Sequence, residues 1–165
     1  MTKAILLTAA IACALVPTWN ALGNSAKAPW ISLSRTECYG LCPVFTLRVF
    51  ADGRVEYEGK RFVIRRGPAR THLAPAKLEA LRRVVAEANV TSMDRHCCDC
   101  RTRTDAPWTY LEIADDTGLK SIDHYHGCSS APEPLSVLEE TIISTAGVSK
   151  WIGSESERRR QKWSR

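Results

Sequence analysis

Apolar and polar positions alternate in two separate regions of the chain, and each region is centred on an acidic-glycine turn. Phe45-Thr46-Leu47-Arg48-Val49 and Val55-Glu56-Tyr57-Glu58 lie on either side of Ala51-Asp52-Gly53. This is the pattern of two half-buried strands joined in a hairpin. A two-residue Asp52-Gly53 loop would set Val49 against Glu56 and mix the faces. A three-residue loop, Ala51 to Gly53, sets Val49 against Val55 and Leu47 against Tyr57, gathering the apolar side chains on one face. The second register is expected, with Gly53 left-handed in a bulge-type turn. Ile31-Ser32-Leu33 reads as a preceding strand. Phe62-Val63-Ile64 reads as an extension of the second strand beyond a kink at Gly59. A second hairpin is expected where Trp108 to Ile113 and Leu119 to His126 flank Asp115-Asp116-Thr117-Gly118.

Between and after the hairpins the period changes to that of a helix. Leu78, Leu81, Val85 and Ala88 form one stripe within Pro75 to Asn89, with proline suited to the first turn and asparagine to the end. Leu135, Leu138, Ile142 and Ala146 form another within Pro134 to Ala146, and Gly147 follows. The order is hairpin, helix, hairpin, helix. The expected fold class is α+β: an antiparallel sheet built from two hairpins, with two helices packed on one face, in ββαββα order.

The two ends follow different rules. Met1-Thr2-Lys3 carries one positive charge, Ala4 to Val16 is apolar, and small residues follow Pro17. That is the pattern of a secretory signal peptide, expected over 1–23 with cleavage after Gly23. The apolar run is shorter than the ~20 residues of a membrane span, so no transmembrane segment is expected in the mature chain. A lipid anchor on Cys13 is the lesser alternative. The domain is expected over 24–153, in the periplasm or outside the cell, as an envelope component or a secreted protein.

The segment 154–165 has no apolar period. It carries Arg158, Arg159, Arg160, Lys162 and Arg165 against Glu155 and Glu157, a net of +3, and reads as a basic, disordered tail. The whole chain is +5, and removing the tail and Lys3 leaves about +1 for the body. The basic balance thus belongs to the tail, and a nucleic-acid-binding face is not expected.

Loss of the leader removes Cys13 and leaves Cys38, Cys42, Cys97, Cys98, Cys100 and Cys128. An even count in an exported chain of this size favours disulfides. Cys38 and Cys42 flank Gly40 and precede a strand. Thioredoxin-like chemistry instead needs two intervening residues at the start of a helix, so a thiol redox enzyme ranks lowest. A Cys38–Cys42 bridge across a tight loop is preferred over a soft copper site made by these thiols and a distant histidine. One of Cys97, Cys98 and Cys100 is expected to bond Cys128, since adjacent Cys97 and Cys98 pair with strain.

Among the remaining residues, His124 and His126 point to one face of a strand, with Ile122. Two imidazoles so placed suit a metal ion, copper or zinc; equally, they suit hydrogen bonds to carbonyls or a carboxylate at the edge of the core. Asp105, in Thr104-Asp105-Ala106-Pro107, falls opposite Cys128 and near His126 if the second loop is Asp116-Thr117. There it would fix an imidazole tautomer or shape the entry to the strand.

The stretches RTECYGLCPVFTLRVFADGRVEYEGKRFV, TDAP, HYHGC and KWI together resemble the bacterial family known as domain of unknown function 6438, over roughly Ile31 to Ile152. The resemblance implies that Arg35, Cys38, Gly40, Cys42, Pro43, Gly53, Asp105, Pro107, His124, Tyr125, His126 and Gly127 are signature positions. It implies a Cys38–Cys42 bond, and Cys98 or Cys100 bonded to Cys128. It brings no activity. The functional expectation is an exported, disulfide-stapled binding or structural module without a cofactor or catalysis of its own. Its candidate site holds Asp105, His124, Tyr125 and His126; its partners are unknown. The alternative is a metal-binding protein using His124 and His126, with or without Cys38 and Cys42.

Overall fold

The structure, a computed structural model, describes residues 28–96, 105–116, 118–128 and 130–163. The expected signal peptide, and Cys97, Cys98 and Cys100, lie outside these residues. Six strands form one antiparallel sheet in the order β4-β3-β2-β1-β5-β6. They are β1 (Ile31–Arg35), β2 (Val44–Val49), β3 (Arg54–Arg61), β4 (Gly67–His72), β5 (Trp108–Asp115) and β6 (Gly118–Tyr125). The helix α1 (Pro75–Glu87) separates the first four strands from the last two, and α2 (Glu133–Thr145), the single turn α3 (Ser149–Ile152) and α4 (Glu155–Trp163) follow. Among the described residues, no helix is long and apolar enough to cross a membrane.

The class is α+β, but the ββαββα order does not hold. The first hairpin has the expected register, with Val49 opposite Val55 and Leu47 opposite Tyr57. Gly53 closes its turn at φ 90°, a conformation that a side chain disfavours. The hairpins are not neighbours: β1 lies between them, pairing with both β2 and β5.

The second difference is β4. Phe62 to Ile64 does not prolong β3. The strand continues through Gly59 to Arg61 with a bulge at Lys60 against β2, then the chain bends and returns as β4, pairing Gly67 with Gly59 and His72 with Arg54. The sequence GPARTH buries only Ala69, so it lacks the alternation that announces a strand. A proline is tolerated there because β4 is an edge strand whose outer side needs no ladder partner.

One face of the sheet makes the core. Ile31, Leu33, Phe45, Leu47, Val55, Tyr57, Leu111, Ile113 and Ile122 cluster with Leu81 and Val85 of α1 and Leu135, Leu138 and Ile142 of α2. Both helices therefore back the same face, as their apolar stripes require. Asn89 (φ 46°) and Gly147 (φ 71°) sit just past them in left-handed geometry, satisfying the helix ends.

The third difference is the tail, which is helical through α4. Ser154 and Glu157 form a reciprocal cap: Glu157 N donates to Ser154 Oγ at 3.3 Å, and Ser154 N donates to Glu157 Oε2 at 2.7 Å. This is the S-x-x-E capping box. Glu155 then pairs with Arg159 one turn on, at 2.5 Å. Capping and i,i+4 pairing start this helix where no apolar period announces one.

Candidate functional site: a buried carboxylate between two histidines

Three neighbouring strands place a row of polar side chains at one end of the core face. Arg35 on β1 lies opposite Thr109 on β5, and Thr109 lies opposite His124 on β6. His126 continues the alternation just beyond β6, where its N–H donates to Pro107 O at 3.0 Å. The helix α2 lies over this row and contributes Glu139, which follows Leu138 and precedes Ile142 by three, inside the apolar stripe. Glu139 and Thr109 are completely buried, His124 is 2% exposed, and His126 is partly open.

Both oxygens of Glu139 are engaged. Oε1 lies 2.6 Å from His124 Nδ1. Oε2 lies 3.2 Å from Arg35 Nη2 and 3.3 Å from His126 Nε2. Thr109 Oγ1 sits 2.7 Å from His126 Nε2 and accepts from Arg35 Nε at 3.2 Å. The two imidazole rings are 4.2 Å apart, centre to centre. A single buried carboxylate thus fixes both histidines and the arginine.

Electrostatics explain how a charge survives there. Burial alone pushes the Glu139 carboxyl up, since it penalises the charged form. Hydrogen bonds from His124 and His126, and their positive character, outweigh it and bring the group down to about 2. Glu139 is therefore ionised at neutral pH, and Arg35 supplies a compensating charge.

Arg35 carries the cluster to the surface. Its Nη1 and Nη2 also donate to Glu140 Oε1, each at 3.2 Å. Arg35 and Glu140 then line a cleft of ≈ 240 Å³ with Pro43, Ile143, Ile152 and Arg158. The loop before β2 forms part of this wall. Cys38 and Cys42 are bonded across it, Cα to Cα 5.7 Å, and Leu41 between them accepts a hydrogen bond from Arg158 Nε at 3.3 Å.

Asp105 stands elsewhere. The second hairpin has the two-residue-loop register, yet the carboxylate on the imidazoles is that of Glu139. Asp105, at φ 71°, instead offers its backbone carbonyl to Tyr39 N at 3.0 Å, tying the β5 entry to the cysteine loop. Tyr125 points to the opposite face, its ring 4.9 Å from Trp108, and its hydroxyl accepts from Ala106 N at 3.1 Å. Cys128 is disulfide-bonded.

Glu139, Glu140 and Thr109 escaped the sequence reading, and Arg158 was read only as a charge of the tail. For Glu139 a signal existed: it stands four after Leu135 and three before Ile142, on the face that must be buried. An acid in that position needs a buried partner.

One donor atom each from His124, His126 and Glu139 lie within 4.8 Å of one another, the mixed nitrogen and oxygen set that divalent metals accept. Without an ion, the same atoms already satisfy each other as hydrogen-bond partners.

The fold and site together define a compact class: an α+β domain whose end strand and second covering helix are locked by one buried carboxylate. The chain belongs to the family described as Domain of unknown function (DUF6438), matched over residues 29–146. Curated proteins provide no match to the chain.

Proposed function

We propose that the protein is an exported, disulfide-clipped binding module whose ligand cleft is bounded by Arg35, Glu140 and the cysteine loop. The observation that carries this reading is the placement of Arg35. Its guanidinium is held at 3.2 Å by a fully buried Glu139 and forms one wall of the cleft, so a recognition group is fixed before any ligand arrives. Export is supported by the leader-like Met1 to Gly23 and suits the Cys38–Cys42 bond. The test is expression with the native N-terminus followed by fractionation and mass analysis. The expected product is a shortened chain in the envelope or medium, with Cys38 and Cys42 unreactive to thiol reagents until reduced. An unprocessed cytoplasmic chain with both thiols free overturns the reading.

A second reading, a zinc or copper site at His124, His126 and Glu139, is favoured by the 4.8 Å donor cluster. It ranks second because Arg35 already holds the carboxylate and sets a positive charge against an incoming cation. Calorimetric titration with zinc chloride tests it: uptake of one equivalent, lost in His124→Ala and in His126→Ala, would place it first.

A further inference from the structure

We infer that the cleft between β1, α2 and the α3–α4 segment binds the carboxylate group of a small organic acid with a short apolar tail. The inference deepens the binding-module reading and rests on it.

The argument begins with Arg158. It lies on α4, beyond the residues matched by the family, and turns back into the cleft. Its named partners are two neutral carbonyls, Leu41 O through Nε and Gly153 O through Nη1. Among the described residues, no carboxylate lies within ion-pair distance of it. The nearby acids of its own helix are otherwise engaged: Glu155 holds Arg159 at 2.5 Å, and Glu157 caps the helix through Ser154. Nη2 makes no hydrogen bond among the described residues. Burial disfavours the charged form of Arg158 most; Glu155 offsets part of this, Arg35 across the cleft adds to it, and Glu157 helps least. A partly buried guanidinium with an open Nη2 and no carboxylate in ion-pair contact is a site that an oxyanion completes.

The rest of the cleft narrows the ligand. Arg35 faces Arg158, but its charge is already met by Glu139 and Glu140. Two guanidinium charges thus already face two carboxylates, and Arg158 is the one of the pair without an ion pair, which calls for a monoanion rather than a dianion. Pro43 and the edges of the largely buried Ile143 and Ile152 supply apolar walls, against which a few methylenes can pack. The volume of ≈ 240 Å³ is below the usual range for drug-sized ligands, about 300–1,000 Å³. A carboxylate carrying a few methylenes fits these terms; inorganic phosphate fits the charge poorly and the walls not at all.

The experiment uses the full mature chain and amide NMR. Sodium valerate is titrated against valeramide, sodium acetate and sodium phosphate at constant ionic strength. The expected result is saturable movement of Ser149, Ile152 and Gly153 amides by valerate, with at least tenfold weaker response to the other three. Arg158→Gln should weaken valerate at least tenfold, and Arg159→Gln, which removes the same charge from the same helix, should leave it unchanged. Arg158→Lys, which keeps the charge, should fall between, and serves if Arg158→Gln does not fold. Equal response to valerate and valeramide, tighter phosphate binding, equal weakening by Arg159→Gln, or no saturable movement overturns the inference. A correctly processed, oxidised protein that ignores valerate refutes this inference alone and leaves the binding-module reading standing.

Discussion

His124 Nδ1 lies 2.6 Å from Glu139 Oε1, and both side chains are closed to solvent. This contact joins the end strand of the sheet to α2. Because the second oxygen of Glu139 reaches Arg35 and His126, the same carboxylate decides where the cleft-lining arginine stands. The stability of the fold and the position of Arg35 are therefore coupled through one residue.

The first prediction follows from charge. The folded Glu139 carboxyl sits at about 2, below its ordinary 4.5. A depressed acid stabilises the fold fully above its unfolded value and loses that contribution as pH falls toward the folded one. The stabilisation, on the order of 3 kcal/mol, is expected to disappear between about pH 4.5 and pH 2. Urea denaturation across this range should show a steeper loss in the native protein than in Glu139→Gln. Glu139→Ala should be worse at neutral pH, losing about 3–5 kcal/mol, because it leaves buried partners uncompensated.

The cysteine clip closes a very short loop, so its effect on overall stability is modest. Replacing Cys38 and Cys42 by serine should lower stability by about 2 kcal/mol in the chain-entropy account. The local effect should be larger. Leu41 would no longer be held beside Arg158, and amide exchange in α4 should accelerate more than exchange in β2 or β3.

Tyr57 offers an opposite case. Its hydroxyl is buried with no hydrogen-bond partner among the described residues, and burial, then Glu58, drives its acidity well below normal. Tyr57→Phe removes an unsatisfied group without opening a cavity, and should leave stability unchanged or raise it by about 1 kcal/mol. Gly59→Ala should do the reverse, because a Cβ there would meet Arg65 O at 2.1 Å. Thermal melts of both variants check the pair.

How much of this was legible in the sequence depends on which force set each element. The first hairpin register could be derived because Val49, Leu47, Val55 and Tyr57 must share a face, and only one loop length allows it. The strand β4 could not, because GPARTH buries one alanine and owes its place to pairing with β3. The helix α4 carried its signal in Ser154 and Glu157 rather than in apolar spacing. His124 and His126 were visible as a pair, since two residues apart on a strand fixes a common face. Their carboxylate was sought across the second hairpin, at Asp105. It came from α2, which only the packing of that helix on β6 brings close.

Asp105 carries its own prediction. Its left-handed backbone, φ 71°, aims its carbonyl at Tyr39 N. Aspartate tolerates this geometry and a β-branched residue does not. Asp105→Gly and Asp105→Asn should keep near-native stability, while Asp105→Val should lose roughly 1–2 kcal/mol. Denaturant melts separate a backbone role from one that needs the carboxylate, which would be damaged equally by all three changes.

The central claim is that Glu139 is an ionised carboxylate sealed between His124, His126 and Arg35. Carbon-13 NMR of the Glu139 side-chain carboxyl in the folded protein tests it most directly. The account predicts an ionised chemical shift that holds from about pH 7 to about pH 4, because the group has moved down to about 2. A titration with its midpoint at or above the ordinary 4.5 would contradict it.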